Sequence, residues 1–253
     1  MLQTENIFYY DETDSTNTRA KEHAKNGGEA GSVFLAKSQT KGRGRRGRVW
    51  ISPNEGNIYF SILLRPDISA QKASMLTLVM GYAISLAMEE ETGLLAEIKW
   101  PNDLVIAGKK VCGILTEMSA KMQSVEYVVI GAGINVGMES VAPEIQDVAT
   151  SLKLENAKKE ISIQKLFACI LRKFQEQYEI FLENGDLRSI CKGYNARLVN
   201  VGREVIILDK ESEYTAKATG INHQGELLIE KQDGTKEAIL SGEVSVRGVY
   251  GYV

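Results

Sequence analysis

The chain has 253 residues with 30 Lys and Arg against 33 Asp and Glu, a length that predicts one large domain, alone or with a small second one. A 43% hydrophobic content excludes a wholly disordered chain, and three cysteines and two histidines are too few and too dispersed for a disulfide framework or a structural zinc site. No apolar run suits a membrane span and the N-terminus lacks signal-peptide features, so we expect a cytoplasmic protein with no membrane contact.

Short β-branched or aromatic runs alternate with helical patterns over the first 200 residues. The runs predict strands at 7–10, 33–36, 58–64, 111–118 and 125–130. The helical patterns predict helices at 16–25, from about Leu76 to a stop at Gly93, and over 161–183. The first of these helices follows a capping cluster, Asp14-Ser15-Thr16.

The helical period disappears after about residue 197. Five short runs with turn residues between them predict strands at 203–208, 213–221, 226–230, 236–240 and 243–250. This pattern predicts a small antiparallel barrel. We therefore expect two domains, residues 1–197 and residues 198–253.

One loop, residues 37–48, concentrates six basic residues and no acid. Glycines at 42, 44 and 47 alternate with the arginines, which suits an anion held from several sides, such as a carboxylate beside a phosphate. A solvated loop and a nucleic-acid patch are the alternatives. The glycine spacing also satisfies a dinucleotide-binding pattern, but that site needs a helix at the loop, and the following residues, 49–53, cannot begin one.

Four other short segments flank this loop in a fixed order. They are Asp14-Ser15-Thr16-Asn17, Lys99-Trp100-Pro101-Asn102-Asp103, residues 109–115 (KKVCGIL) and residues 131–136 (GAGINV). Together with GRGRRGR at 42–48, this order resembles the biotin–protein ligases, from about residue 7 to the C-terminus. The resemblance implies an α+β fold, in which a mixed-sheet catalytic domain with flanking helices precedes a small C-terminal SH3-like β-barrel.

The resemblance also implies the reaction. ATP with Mg²⁺ would activate the biotin carboxylate as biotinyl-5′-AMP, and a lysine of an apo biotin carboxyl carrier protein, of acetyl-CoA carboxylase or a related carboxylase, would then accept the biotin. Because the chain begins almost at the catalytic domain, we expect no transcriptional activity and no nucleic-acid partner. Analogy alone leaves a homodimer through the catalytic sheet open.

Residue roles follow from the same resemblance. It implies Lys110, Arg45 and Asp103 as the catalytic group, with Lys110 bridging the biotin carboxylate and the α-phosphate and Arg45 retaining the adenylate. Asp103 would hold Mg²⁺ or help the incoming amine lose its proton. The implied biotin contacts are Ser15, Thr16, Asn17, Gln39, Gly42, Arg43, Gly44, Arg45, Lys110, Gly113, Gly131 and Gly133. The implied ATP contacts are Arg45, Arg48, Trp50, Asn102, Asn135 and Arg247.

Plainer interpretations stay open for several of these residues. Residues 15–17 could simply cap the first helix, and Trp50 could be an ordinary core residue. Asn102 could form a turn, and Arg247 could make an interdomain salt bridge. Cys112 is expected to be a small core residue and not a nucleophile, since no histidine lies near it in sequence.

Two other functions compete with biotin ligation. Lipoate ligases and octanoyl transferases share the superfamily, but the arginine–glycine loop favours biotin. A nucleic-acid-binding module would use residues 37–48, although an isoelectric point near 5.7 and a single flanking aromatic, Trp50, weigh against it.

Overall fold

The structure, a computed structural model, describes residues 6–121, 124–156, 160–208, 213–241, 245–248 and 252, and gives only the backbone for 245–247. The larger of its two sheets has the spatial order β1-β2-β3-β7-β6-β5-β4. These strands are β1 Ile7–Thr13, β2 Val33–Gln39, β3 Ile58–Leu64, β4 Glu97–Lys99, β5 Asp103–Ile106, β6 Lys109–Lys121 and β7 Ser124–Ile134. Since β1 and β2 are parallel and the other pairs antiparallel, the sheet is mixed, and the expected α+β class is confirmed.

Six helices accompany the sheet in the described ranges. They are α1 Thr16–Lys25, α2 Ala70–Ala73, α3 Met75–Thr92, α4 Leu152–Glu155, α5 Ile163–Asn184 and α6 Arg188–Arg197. The predicted helices correspond to α1, α3 and α5. Both α3 and α5 end at a glycine in the left-handed region, Gly93 at φ 74° and Gly185 at φ 68°. None of these helices combines the length and the apolar character needed to cross a membrane.

The alternation of β3 explains how both faces of the sheet are covered. Ile58, Phe60, Ile62 and Leu64 join the main hydrophobic cluster, together with the buried residues of α3 and α5. Leu63 points the other way and packs with residues of α1 in a second, smaller cluster. Helix α1 therefore covers one face, and its N-terminus meets the sheet where the candidate site lies.

The second sheet is antiparallel and has the order β11-β10-β9-β8-β12. Its strands are β8 Glu204–Leu208, β9 Glu213–Ile221, β10 Leu227–Glu230, β11 Lys236–Ile239 and β12 Ser245–Gly248. All five were predicted, although residues 243, 244, 249 and 250 lie outside the described ranges. The indole Nε1 of the buried Trp100 donates to the Gly225 carbonyl at 3.0 Å, so this sheet packs against the segment around residue 100.

Candidate active site

One cavity of about 450 Å³ brings most of the predicted site residues together. It lies between the N-terminus of α1, the basic glycine loop, the β5–β6 hairpin, β7 and Tyr252. The predicted residues that line it are Ser15, Thr16, Asn17, Gln39, Arg43, Gly44, Arg45, Arg48, Trp50, Asn102, Asp103, Lys110, Gly113, Gly131 and Gly133. Segments far apart in the sequence thus converge on one pocket.

Three predicted residues are not placed in the cavity wall. Asn135 is buried and donates its amide to the Thr150 carbonyl at 3.0 Å, so it supports a loop instead. Gly42 is a buried residue of the loop, where a Cβ would come within 2.2 Å of the Trp50 carbonyl oxygen. Arg247 belongs to β12, but its side chain and all of Gly242 and Glu243 lie outside the described residues.

The end of the cavity near α1, here called the uncharged end, is a closed hydrogen-bond network. Gln39 Oε1 accepts from the backbone N–H of Thr16 at 2.9 Å, and Ser61 Oγ donates to Asn17 Oδ1 at 2.6 Å. Ser15 is the N-cap residue of α1, but its side chain makes no capping hydrogen bond. The side chain of Ser15 therefore does not cap α1. The side chains of Thr16 and Asn17 take part in the hydrogen-bond network.

The uncharged end also explains one glycine. A Cβ on Gly131 would lie 1.9 Å from Asn17 Oδ1, a distance that no contact between these atoms tolerates. Glycine at this position therefore leaves room for the Asn17 side chain against β7.

Glu117, on β6, links the uncharged end to the basic loop. Its Oε2 accepts from Asn17 Nδ2 at 2.9 Å, and its Oε1 pairs with Lys21 at 2.8 Å and with Arg43 at 2.9 Å. Burial alone would raise the pKa of Glu117, but the hydrogen bonds from Lys21 and Asn17 and the charges of Lys21 and Arg43 outweigh it, and the pKa lies below its ordinary value. One carboxylate thus fixes Arg43 beside Asn17.

The basic loop folds into one 3-10 turn at Arg45–Gly47. Arg46 and Gly47 both have positive φ, 57° and 74°, and the Gly44 N–H donates to the Arg48 carbonyl at 2.7 Å. No helix follows between residues 48 and 57, which are all described, so the rejection of a dinucleotide-binding turn is confirmed. The turn directs Arg45 into the cavity and leaves Arg46 exposed.

The opposite end of the cavity, here called the charged end, joins the basic loop and the β5–β6 hairpin to residues beside the second sheet. Arg45 Nη1 donates to Asn102 Oδ1 at 2.9 Å, and Arg45 Nη2 donates to the Ser241 carbonyl beside the second sheet. Burial lowers the pKa of the Arg45 guanidinium, while the charge of Asp103 works in the opposite direction. The guanidinium is therefore a partly desolvated cation at the junction of the sheets.

Asp103 is the centre of the charged end. Its Oδ1 pairs with Lys110 Nζ at 2.6 Å, and its Oδ2 accepts from the Tyr252 hydroxyl at 2.5 Å. The Lys99 ammonium lies 3.5 Å from the centroid of the Tyr252 ring. Burial and the neighbouring Asp103 raise the pKa of Tyr252, so its hydroxyl stays protonated and donates.

The Trp50 indole packs closely against two of the predicted glycines. A Cβ on Gly133 would be 2.3 Å from its Nε1 and a Cβ on Gly113 would be 3.0 Å from its ring, and Lys110 Nζ is 5.1 Å from the ring centroid. Its buried Nε1 has no hydrogen-bond partner among the described residues. Trp50 is therefore a half-buried cavity residue and not a core tryptophan, whereas Trp100 belongs to the main hydrophobic cluster and also borders the cavity. Cys112 is fully buried, which confirms it as a core residue.

The carboxylate in the cavity suits a metal ion that is bound together with a nucleotide. Asp103 is the only carboxylate among the described residues that line the cavity. Mg²⁺ commonly binds through one or two carboxylates together with substrate phosphates, so this single carboxylate suits a nucleotide-bound Mg²⁺. Within the described ranges, the group of three side chains close enough to share a metal lies elsewhere, at Glu90, Glu91 and Cys169.

Sequence reasoning assigned no role to several residues that the structure brings to the site. Lys99 and Trp100 line the cavity, and their place next to Asn102 and Asp103 was the available signal. Glu117 follows residues 109–115 by two positions, but nothing in the sequence indicated its three partners. Tyr252 had no signal at all, because only the packing of the second sheet brings it to Asp103.

Comparison with protein-family models gives a match over residues 9–135 to the biotin/lipoate A/B protein ligase family. The chain belongs to this family. Residues 201–247 match the biotin protein ligase C-terminal domain, which corresponds to the second sheet. The matched family region contains the residues that line the cavity from α1, the basic loop, the β5–β6 hairpin and β7.

Individual members of the biotin/lipoate A/B protein ligase family resemble the chain over most of its length. The bifunctional ligase/repressor BirA of Bacillus spizizenii is 36% identical over 96% of this chain and 74% of its own length. The biotin–[acetyl-CoA-carboxylase] ligase of Paracoccus denitrificans is 31% identical, over 93% of this chain and 98% of its own. The solved structure of the biotin protein ligase from Aquifex aeolicus in complex with biotin and ATP has 33% identity and a TM-score of 0.84, covering 96% of this chain and 99% of that one.

Proposed function

We propose that the chain joins biotin to a lysine of a biotin carboxyl carrier domain in two steps that consume ATP. In the first step a carboxylate oxygen of biotin attacks the α-phosphorus of ATP, and pyrophosphate leaves with its bonding electrons. In the second step the lysine amine attacks the acyl carbon of biotinyl-5′-AMP, and AMP leaves. The observation that carries the proposal is a single cavity in which the uncharged end and the charged end face each other.

The cations of the charged end reduce the repulsion that opposes the first step. A carboxylate and a phosphate about 4 Å apart repel by about 4 kcal/mol at an effective dielectric of 20. Lys110 and Arg45 both reach the cavity, Lys110 from β6 and Arg45 from the basic loop. Fixed cations at this point stabilise charge as the transition state forms and need no reorganisation, so we assign Lys110 to the reacting carboxylate and α-phosphate.

The uncharged end suits the ureido ring of biotin, which presents both donors and an acceptor. Hydroxyl and amide groups of Ser15, Thr16 and Asn17 line this end, and those of Thr16 and Asn17 are held in place by Gln39 and Ser61. Because these groups are already positioned, little freedom is lost on binding. We assign this end to biotin recognition, with Arg43 beside it.

The adenine side is assigned to Trp50 and Arg48, which line the cavity next to the charged end. Asp103 would hold the Mg²⁺ of the nucleotide, which supplies charge neutralisation at the phosphates.

In the second step the acceptor must be neutral to attack, yet at an ordinary pKa only about one lysine amine in a few thousand is neutral at pH 7. The site therefore has to favour the neutral amine.

Biotin-dependent exchange tests the proposal. The protein should exchange labelled pyrophosphate into ATP when biotin is present, and not when biotin is omitted. Exchange with lipoate in place of biotin would assign the chain to the lipoate branch of the same family. No exchange with either acid would remove the ligase proposal.

Several further predictions accompany this function. We propose domains at residues 1–197 and 198–253, a cytoplasmic location, and a homodimer through the catalytic sheet; the lack of a transcriptional role also stays a prediction. A nucleic-acid partner is not expected, because the isoelectric point is near 5.7 and Trp50 is the single aromatic residue that flanks the basic loop. Affinity for nucleic acid that falls steeply with added salt would contradict that expectation.

A further inference from the structure

A second cavity of about 200 Å³ adjoins the charged end. We call it the side cavity; it lies between the α2–α3 junction, the middle of β6 and Ser241. Arg45, Pro101, Asn102 and Ile114 line both cavities. The side cavity therefore meets the main cavity where the proposed function places the activated carboxyl group.

Arg45 separates the two cavities. Its guanidinium donates to Asn102 Oδ1 at 2.9 Å on one side and to the Ser241 carbonyl on the other. Both acceptors also line the side cavity. Among the described residues that line both cavities, Arg45 is the only charged one, and these two hydrogen bonds hold it at their boundary.

The chemistry of the side cavity suits an aliphatic amine. Ala70, Ala73 and Met118 offer apolar surface, and Ser74 and Thr77 offer hydroxyls. Met118 is 48% exposed, so the space is accessible from the β6 surface. These groups match a side chain that has a four-carbon apolar stem and a polar tip.

The electrostatics of the side cavity favour the uncharged amine. Arg45 is the only charged residue among the described residues that line it. Removal from water and a neighbouring positive charge both disfavour an ammonium ion and so lower the pKa of an entering amine. The cavity thus supplies the condition that the second step requires.

We propose that the side cavity is the entry route of the acceptor lysine and that it delivers the lysine as a neutral amine; this rests on the proposed function. The lysine nitrogen forms the C–N bond to the acyl carbon, the C–O bond to the phosphate breaks with its electron pair leaving on AMP, and the proton lost by nitrogen is released to solvent. To reach the main cavity, the amine passes the side chain of Arg45.

The test places a carboxylate in the side cavity. Ser74 is half-buried at the α2–α3 junction, and Ser74→Asp would stabilise the ammonium form of the entering amine, with Ser74→Asn as the neutral match. Gln71→Asp is the control, since Gln71 is exposed on α2, outside the lining, and gains the same charge. Each variant is loaded with biotin and ATP, the pyrophosphate is destroyed enzymatically, and single-turnover transfer is followed with a biotin carboxyl carrier domain and with n-butylamine.

The carboxylate of Ser74→Asp should raise the pKa of the entering amine by about one unit. We therefore expect transfer to both amines to be about 10-fold slower near pH 7, and the transfer rate to return to that of the parent protein at alkaline pH. Pyrophosphate exchange should stay unchanged, and Ser74→Asn and Gln71→Asp should transfer like the parent protein. Equal transfer rates for Ser74→Asp and Gln71→Asp at every pH would overturn the side-cavity proposal while leaving biotin ligation intact. Loss of exchange in the unmodified protein would instead overturn the proposed function.

A second variant covers the case in which Ser74→Asp does not fold. Ala70→Phe, at the first residue of α2, fills the side cavity from a half-buried position. Transfer to the carrier domain should fall at least about 10-fold at unchanged exchange, since the amine can no longer reach a near-attack position. Unchanged transfer in this variant would also overturn the proposal.

Discussion

The two ends of the main cavity are held by different kinds of structure. At the uncharged end, Thr16, Asn17, Gln39 and Ser61 bond to one another within the catalytic sheet and α1. At the charged end, Asp103 bonds to residues up to 149 positions away, and Arg45 reaches Ser241 across 196 positions. The first end is therefore rigid by local packing, whereas the second depends on the two sheets staying together.

This difference predicts which quantity each end controls. Polar groups that are already satisfied around a binding surface set affinity, because they bind the ground state and the transition state alike. Cations placed where charge develops set the rate of the chemical step. Substitutions at the charged end should therefore change rates, and substitutions at the uncharged end should change affinity for biotin.

The largest effect is expected for Lys110→Ala. The ammonium that pairs with Asp103 at 2.6 Å is lost, and the rate of adenylate formation should fall roughly 10²-fold or more. Pyrophosphate exchange measures this rate directly. The control is Lys109→Ala, because the neighbouring lysine does not line the cavity. A Lys110→Ala protein that keeps the parent exchange rate would remove Lys110 from the catalytic group.

Arg45→Gly should release the adenylate. Two hydrogen bonds that link the basic loop to Asn102 and Ser241 disappear together, and bonds of this charged type change equilibria about 10- to 100-fold each. The readout is biotin on the lysines of an unrelated bystander protein, detected after incubation with biotin and ATP. Lys41→Gly removes an exposed cation of the same loop that does not line the cavity, and it should label the bystander protein no more than the parent does. If Arg45→Gly labels only the carrier domain, Arg45 does not retain the adenylate.

Gly131→Ala tests the uncharged end. The new methyl group would lie 1.9 Å from Asn17 Oδ1, so Asn17 must move and the network with Ser61 must break. We expect biotin affinity to weaken about 10-fold, the cost of one buried polar group left unpaired, while the maximal exchange rate at saturating biotin changes little. Titration calorimetry and exchange kinetics separate the two quantities.

The matched control for Gly131→Ala is Gly81→Ala, whose Cβ would meet only Ile114 at an ordinary 3.5 Å. That variant should bind biotin like the parent, and alanine should favour α3 over glycine. A Gly131→Ala protein with lower maximal rate and unchanged affinity would invert the assignment of the two ends.

Periodic patterns were enough to predict the elements that carry the fold. The apolar spacing along 76–88 located α3, and the alternation of 125–130 located β7. The strands β4 and β5 were missed because they are short and because Pro101 and Asn102, which lie between them, predict a turn. Helix α6 was missed because its sequence, RSICKGYNAR, is mostly polar and its two buried residues come from packing on other elements.

The candidate site was predictable to the extent that its residues lie in short, ordered segments. Five such segments supplied the residues that line the cavity, but not the contacts among them. The link from Asp103 to Tyr252 and the three partners of Glu117 depend on how distant segments approach one another. Asn135 shows the converse, since it lies in a matching segment and yet faces Thr150.

Glu117→Gln is expected to have the smallest effect, and its pH dependence makes it decisive. Glutamine keeps an acceptor for Asn17 but loses the pairing with Lys21 and Arg43, which should cost about 1 kcal/mol of unfolding free energy at neutral pH. Since the folded pKa of Glu117 lies below its unfolded value, its contribution is complete above the ordinary glutamate pKa of about 4.3 and is lost as the pH falls through the folded pKa. Urea unfolding at pH values on both sides of the folded pKa should therefore show a difference in unfolding free energy between parent and variant that shrinks in acid.

The control is Glu126→Gln, which replaces an exposed strand carboxylate bonded to Ser119 and should change the unfolding free energy little at either pH. If the loss of stability in Glu117→Gln persists in acid, its amide packs badly and Arg43 is positioned by other contacts.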